Sequence, residues 1–261
     1  GDGPWTLAPG GPRPHSSGTA KPPVLPPSGP ATPSRAVAGF LRRAEALPGL
    51  RLAPRPRPAR LLFGIDATAS RQPAWDRACA VQGEMFLAVR DLGGIAVSLA
   101  YYRGFGEFAA TPYLTDGAEL ARRMSGLSCL GGRTQLLRLL DHALAETGRD
   151  RLAALVFVGD ALEEPADPVC HAAGLLGSRR TPVFLFQEGH DPAVENVFRQ
   201  VARLSGGAWA PFDSASPRAL ADLLRAVAVY AAGGRAALSR LPGTAAQTLA
   251  RQLPAPPGTG A

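Results

Sequence analysis

Leu61-Leu62-Phe63-Gly64-Ile65-Asp66-Ala67-Thr68-Ala69-Ser70 is the stretch that decides the fold. Its first five residues are apolar or glycine, with no alternating polar face. A run of this length reads as a strand covered on both sides, as in parallel sheets flanked by helices. Asp66 then stands at the carboxyl end of that strand. The loop Asp-Ala-Thr-Ala-Ser places oxygen-bearing side chains at i, i+2 and i+4, a spacing that lets a turning loop aim all three at one point.

Downstream, Pro73 suits the first turn of a helix, with Trp75, Ala78, Cys79, Met85, Phe86 and Val89 on its inner side, and Gly93-Gly94 ends it. Residues 95–102 (IAVSLAYY) read as a second strand. Residues 107–114 (EFAATPYL) read as a short edge strand, since Pro112 cannot donate to a ladder on both sides. Thr115 or Asp116 can cap a helix over 117–124. Gly131-Gly132 make a tight loop before a helix at 134–147. Strands at 152–159, 181–187 and 208–212 alternate with helices at about 168–177, 192–204 and 217–231. Strands alternating with helices specify an α/β fold with a doubly wound, mostly parallel, six-stranded sheet. The single strand-to-strand step, 95–102 to 107–114, specifies one antiparallel edge strand.

Upstream, residues 1–34 are rich in Pro, Gly and Ser and cannot bury a core. Residues 35–46 carry Val37, Phe40 and Leu41 at helical spacing, a short amphipathic helix, and 53–59 (APRPRPA) read as a stiff linker. The expected organisation is therefore a Pro/Gly-rich, disordered N-terminal tail with that helix over 1–59, one α/β domain over 60–231, and a helical turn with a disordered tail over 232–261. The chain begins at Gly1 rather than Met, which is compatible with a missing start or a cleaved signal peptide.

The formal charge is +7, and its placement matters more than its size. Residues 1–60 hold nine basic side chains against Asp2 and Glu45, and residues 235–261 add Arg235, Arg240 and Arg251 with no acid. The middle of the chain is therefore slightly acidic. A compact nucleic-acid-binding domain puts its arginines on the folded face, so nucleic acid is not the expected partner. The tails read as solvated, Arg-biased linker. No apolar run approaches the roughly 18 residues of a membrane span.

Residue usage excludes several chemistries. Lys21 is the only lysine, so the folded part has no P-loop lysine and no Schiff-base amine. There is no GxSxG elbow. Cys79, Cys129 and Cys170 form no CxxC pair, which points to reduced thiols and a cytoplasmic setting. His15, His142, His171 and His190 show no zinc-ligand spacing.

The residues that carry chemistry are Asp66, Thr68, Ser70, Thr134 and Asp160. Asp66 and Asp160 stand at the carboxyl ends of two buried strands, where open α/β sheets bind ligands. Thr134 stands where a helix begins. Two carboxylates and three hydroxyls form a hard-oxygen set suited to Mg²⁺ or Mn²⁺. Neutral hydroxyls leave such an ion electron-poor and ready for one further anion. Local capping of loops and helices by the same residue types is the plainer reading. Glu163 and Glu164 read as an acidic rim or as ordinary acids in an exposed first helical turn.

With Gly131-Gly132-Arg133-Thr134 and Val156-Phe157-Val158-Gly159-Asp160, the opening stretch resembles the metal-ion-dependent adhesion site of von Willebrand factor A domains. That site pairs Asp-x-Ser-x-Ser with a distant Thr and a second Asp. The resemblance covers about residues 60–231. It departs from the pattern at Thr68, which replaces Ser, at Arg71, a cation directly after the loop, and at Gly159-Asp160-Ala161 in place of Thr-Asp-Gly. It implies the doubly wound fold and a bacterial intracellular A domain acting as an adaptor. It further implies metal contacts from Thr68, Ser70 and Thr134, with Asp66 and Asp160 acting directly or through water. The implied partner is another protein presenting Asp or Glu, such as an ATPase or chaperone-like protein, and the implied role is not enzymatic. Two alternatives stay open: a structural or adaptor domain with a degenerate metal site, and a phosphohydrolase-type enzyme. The second lacks the Asp-x-Asp and the lysine that such chemistry requires.

Overall fold

The computed structural model describes residues 57–66, 93–126, 133–213, 215–216 and 218–255. The expected tail and helix within 1–56, the helix after Pro73, and Thr68, Ser70, Arg71, Cys79 and Cys129 lie outside the described residues. The six strands are β1 (Ala59–Asp66), β2 (Ile95–Arg103), β3 (Glu107–Ala110), β4 (Ala154–Gly159), β5 (Val183–Glu188) and β6 (Ala208–Phe212). The described helices are α1 (Gly117–Ser125), α2 (Leu136–Thr147), α3 (Ala166–Ser178), α4 (Pro192–Ser205), α5 (Ala219–Arg240) and α6 (Thr244–Gln252).

The strands lie in the order β3-β2-β1-β4-β5-β6. Every pair is parallel except β2–β3. This is the expected doubly wound sheet with one antiparallel edge strand. β3 ends at Ala110, and the chain regains the ladder only through a bridge between Val97 and Leu114. Pro112 falls in the gap, which is where a residue without an N–H is tolerated.

The unbroken apolar runs are explained by helices on both faces. Alternate side chains of each strand enter different cores. Leu61, Phe63 and Ile65 of β1 and Val156 and Val158 of β4 meet residues of α1, α5 and α6, among them Met124, Leu224 and Leu249. Leu62, Leu155 and Phe157 face the other way, toward Leu139 of α2, Leu176 of α3 and Phe198 of α4. Asp66 shares the parity of Leu62 and so lies on the α2 side.

Gly64 sets how close α2 approaches. A Cβ at Gly64 would enter the van der Waals envelope of the Leu139 methyl Cδ2 and sit 3.0 Å from Cδ1. The missing side chain lets α2 pack directly over β1. At the opposite end of the strand, Arg60 pairs with Glu146. It also donates to the Asp150 carbonyl at 2.8 Å and covers the Tyr113 ring at 4.1 Å.

Helix ends follow capping chemistry. Asp116 accepts from the Ala118 N–H at 2.8 Å. Asp191 caps α4 through Ala193 N–H at 2.8 Å, with Pro192 in the first turn. Beyond residue 231, where a helical turn is expected, the structure carries more helix. α5 runs on to Arg240 with a break at Gly234 (φ 67°, ψ −169°), and α6 follows. Ala246, Leu249 and Leu253 are buried in the same core as β1, so this segment is part of the domain. No helix among the described residues is long and apolar enough to cross a membrane.

Candidate functional site

From β1 the chain moves outward through β2 to β3, then β4 returns on the other side of β1. The carboxyl ends of β1 and β4 therefore flank the point where strand order reverses, the place where open α/β sheets bind their ligands. Ile65 is in register with Val158, so Asp66 neighbours Gly159 across strands about 4.8 Å apart. Asp160 follows immediately. Asp66 is only 1% exposed, and Asp160 is half-buried. On the other flank Asp66 is in register with Tyr102, which stacks on Phe157 at 6.3 Å. An aromatic floor thus lies under the site on the α2 side.

Thr134 is buried and lies two residues before α2. Its Oγ1 accepts the backbone N–H of Glu163 at 3.0 Å. A hydroxyl has a further lone pair and a hydrogen to offer, so this bond leaves it able to hold another partner. The loop 160–165 and the entry to α2 are thereby joined. Among the predicted site residues, Asp66 and Asp160 are brought to one rim by strand pairing. Thr134 is tied to the Asp160 loop. Thr68 and Ser70 lie outside the described residues.

Glu164 departs from expectation. α3 starts at Ala166, so neither Glu163 nor Glu164 is in a first helical turn. Glu163 is exposed in the loop, while Glu164 turns inward. Its Oε2 accepts from Leu136 N–H at 2.6 Å and its Oε1 from Leu137 N–H at 3.0 Å. Burial pushes its carboxyl above the ordinary range, the two amides pull it down, and the negative charges of Asp66 and Glu163 push it up. The last effect places Glu164 within electrostatic reach of Asp66. The only signal in the sequence is a negative one: α2 has no acid in its first turn and no side-chain cap of its own.

The donors present fit a hard divalent cation in kind. They are a buried carboxylate, a second carboxylate and a buried hydroxyl, all oxygen. Among the described residues, no three His, Cys, Asp or Glu side chains group into a metal cage. The set depends on hydroxyls, as the motif implies.

No protein-family model and no curated protein matches the chain. Solved structures do. The VWA domain of SpRpn10 aligns with TM-score 0.51 at 13% identity, over 65% of this chain and 94% of that one. The pilus adhesin SpaC from Lactobacillus rhamnosus GG aligns with TM-score 0.53 at 10% identity, over 66% of this chain and 30% of that one. The PilB minor pilin from Streptococcus sanguinis gives TM-score 0.52 at 9% identity, over 71% and 64%. Likeness at such low identity concerns the fold. Sheet order, the antiparallel edge and helices on both faces agree with it, and the chain has the von Willebrand factor A fold.

Proposed function

We propose that Asp66, Thr134 and Asp160, completed by Thr68 and Ser70, hold Mg²⁺ or Mn²⁺, and that the ion binds an acidic side chain of a partner protein. The observation that carries this reading is the convergence of Asp66, Asp160 and the Thr134–Glu163 tie at the reversal point of the sheet. An ion held by few direct carboxylates keeps net positive charge, which favours one more carboxylate from outside.

The role is binding rather than catalysis. Two of the structural neighbours are named as a pilus adhesin and a minor pilin, and those names describe assembly and adhesion in those proteins. The surface beside the rim suits a protein partner. Phe105 tips the β2–β3 turn, past the strand end that flanks Asp66, and is 86% exposed. The turn is braced, since Arg133 N–H donates to the Gly104 carbonyl at 3.3 Å and Arg138 to the Gly106 carbonyl at 2.8 Å. An exposed aromatic on a braced turn offers contact area at small entropic cost.

The test is a Mn²⁺ titration of the full chain followed by water-proton relaxation. Wild type should bind one equivalent of Mn²⁺, Mg²⁺ should compete, and Asp66→Ala should bind none. Adding N-acetyl-aspartate amide should then lower the relaxation enhancement, because its carboxylate displaces a metal-bound water. Absence of Mn²⁺ binding by wild type sinks the metal. Binding of Mn²⁺ without any response to the carboxylate sinks the mode of partner recognition.

A further inference from the structure

Helix α2 starts without a cap of its own. Gln135, at the cap position, accepts from the Arg138 side chain at 3.0 Å but caps no backbone amide of the helix, and the first turn contains no acid. The first amides of a helix have no partner within it. Here Glu164, 28 residues along the chain, takes two of them in bidentate fashion, Leu136 N–H at 2.6 Å and Leu137 N–H at 3.0 Å. The reciprocal bond runs from Glu163 N–H to Thr134 Oγ1 at 3.0 Å. Three hydrogen bonds thus clasp residues 134–137 to residues 163–164.

As a plain cap, this is an expensive choice. A Ser, Thr, Asp or Asn at position 135 would satisfy the helix locally. Glu164 instead brings a carboxylate into a half-buried place near the charge of Asp66. What the cross-loop cap adds, and a local one cannot, is a fixed spacing between the loop that bears Thr134 and the loop that bears Asp160. A metal ion is sensitive to that spacing, because its donor distances tolerate little variation.

We propose that Glu164 is a positioning residue: it caps α2 from the neighbouring loop and so holds the Thr134 and Asp160 oxygens at the separation a divalent cation requires. Each carboxylate oxygen serves an α2 amide, so Glu164 acts on the rim through those amides. This inference rests on the metal reading of the rim.

The experiment separates positioning from helix stability. Mn²⁺ affinity, by water relaxation, and thermal midpoint are measured for wild type, Glu164→Gln, Glu164→Ala, and Glu164→Ala combined with Gln135→Asp, which supplies a local cap. Loss of groups that orient metal ligands typically costs 10- to 100-fold in affinity. Glu164→Ala should therefore weaken Mn²⁺ at least about tenfold and lower the midpoint. The double variant should regain the midpoint but not the affinity. Glu164→Gln keeps one acceptor oxygen and should fall between wild type and Glu164→Ala in both. A double variant that recovers wild-type Mn²⁺ affinity along with its midpoint overturns the inference, as does unchanged affinity in Glu164→Ala. Wild type that binds no Mn²⁺ is a different result, and it removes the metal reading and this inference together.

Discussion

Thr134 and Glu163, 29 residues apart in sequence, are joined by one hydrogen bond from the Glu163 backbone N–H to the Thr134 hydroxyl oxygen at 3.0 Å. Thr134 leads into α2 while Glu163 follows β4, so this bond fixes where the α2 entry lies relative to the end of β4. Replacing the hydroxyl by a methyl of the same shape leaves a part-buried N–H without its acceptor. Such a loss costs about 1–2 kcal/mol. Thr134→Val should lower the free energy of unfolding by that amount in urea, and Thr134→Ser should restore most of it. A Thr134→Val protein as stable as wild type would show that the bond does not set the loop.

Gly64 and Leu139 provide a sharper packing test. Gly64→Ala forces the buried Leu139 head to move, because the new Cβ lands among its terminal carbons. Overpacking of this kind costs about 1–3 kcal/mol. Leu139→Ala alone leaves a cavity and costs about 2–5 kcal/mol. Combined, the two changes partly cancel, since the added methyl occupies space the lost side chain vacates. A double-mutant cycle in urea should give a favourable coupling of at least about 0.5 kcal/mol. Strict additivity would mean that α2 shifts freely on β1.

Much of this architecture is legible in the sequence, for a physical reason. Strands such as 61–66 and 154–159 are buried on both faces, so their side chains are almost all apolar and the signal does not depend on phase. The end of such a run also marks where a ligand-facing residue stands, which is why the residue pattern alone places Asp66 and Asp160 at strand ends. Glu164 is not legible in this way. Its partners are backbone amides 27 and 28 residues away, and an acid ahead of Ala166 and Asp167 looks like any acid near a helix start. The C-terminal helical region is longer than the turn or two expected of it. Its buried core residues are Ala237, Leu238, Ala246, Leu249 and Leu253, a sparse pattern that the intervening and flanking Pro and Gly residues obscure.

His142 gives α2 a pH dependence. Burial pushes its imidazole below the ordinary value, the Glu146 charge pulls it up, and Arg149 pushes it down again. The ring meets Phe108 edge-on at 5.3 Å. The folded state therefore binds this proton less readily than the unfolded chain. Stability contributed by neutral His142 is fully present above the ordinary histidine range near 6.5. It is lost as pH falls from there toward the depressed folded value, and the slope ends below it. Urea midpoints measured between pH 7.5 and 5 should decline through that window, with a smaller decline in His142→Phe. An identical decline in both proteins would assign the effect to other groups.

Gln252 closes the open side of β6. Its Oε1 accepts from Trp209 N–H at 2.9 Å and its Nε2 donates to the Trp209 carbonyl at 2.8 Å, so one side-chain amide imitates a neighbouring strand. The next outward-facing amide position is Pro211, which has no N–H to offer. An edge strand whose backbone groups are already satisfied gives another chain little to pair with. Gln252→Ala should cost about 1–2 kcal/mol from the two lost bonds and raise concentration-dependent self-association in sedimentation velocity. Gln252→Glu keeps the acceptor for Trp209 N–H but cannot donate to the carbonyl, and a carboxylate facing that carbonyl is repelled. Its stability should fall at or below that of the alanine variant. If the glutamate variant matches wild type, the donor half of the amide contributes nothing, and the packing of Leu249 and Leu253 alone holds α6 against the sheet.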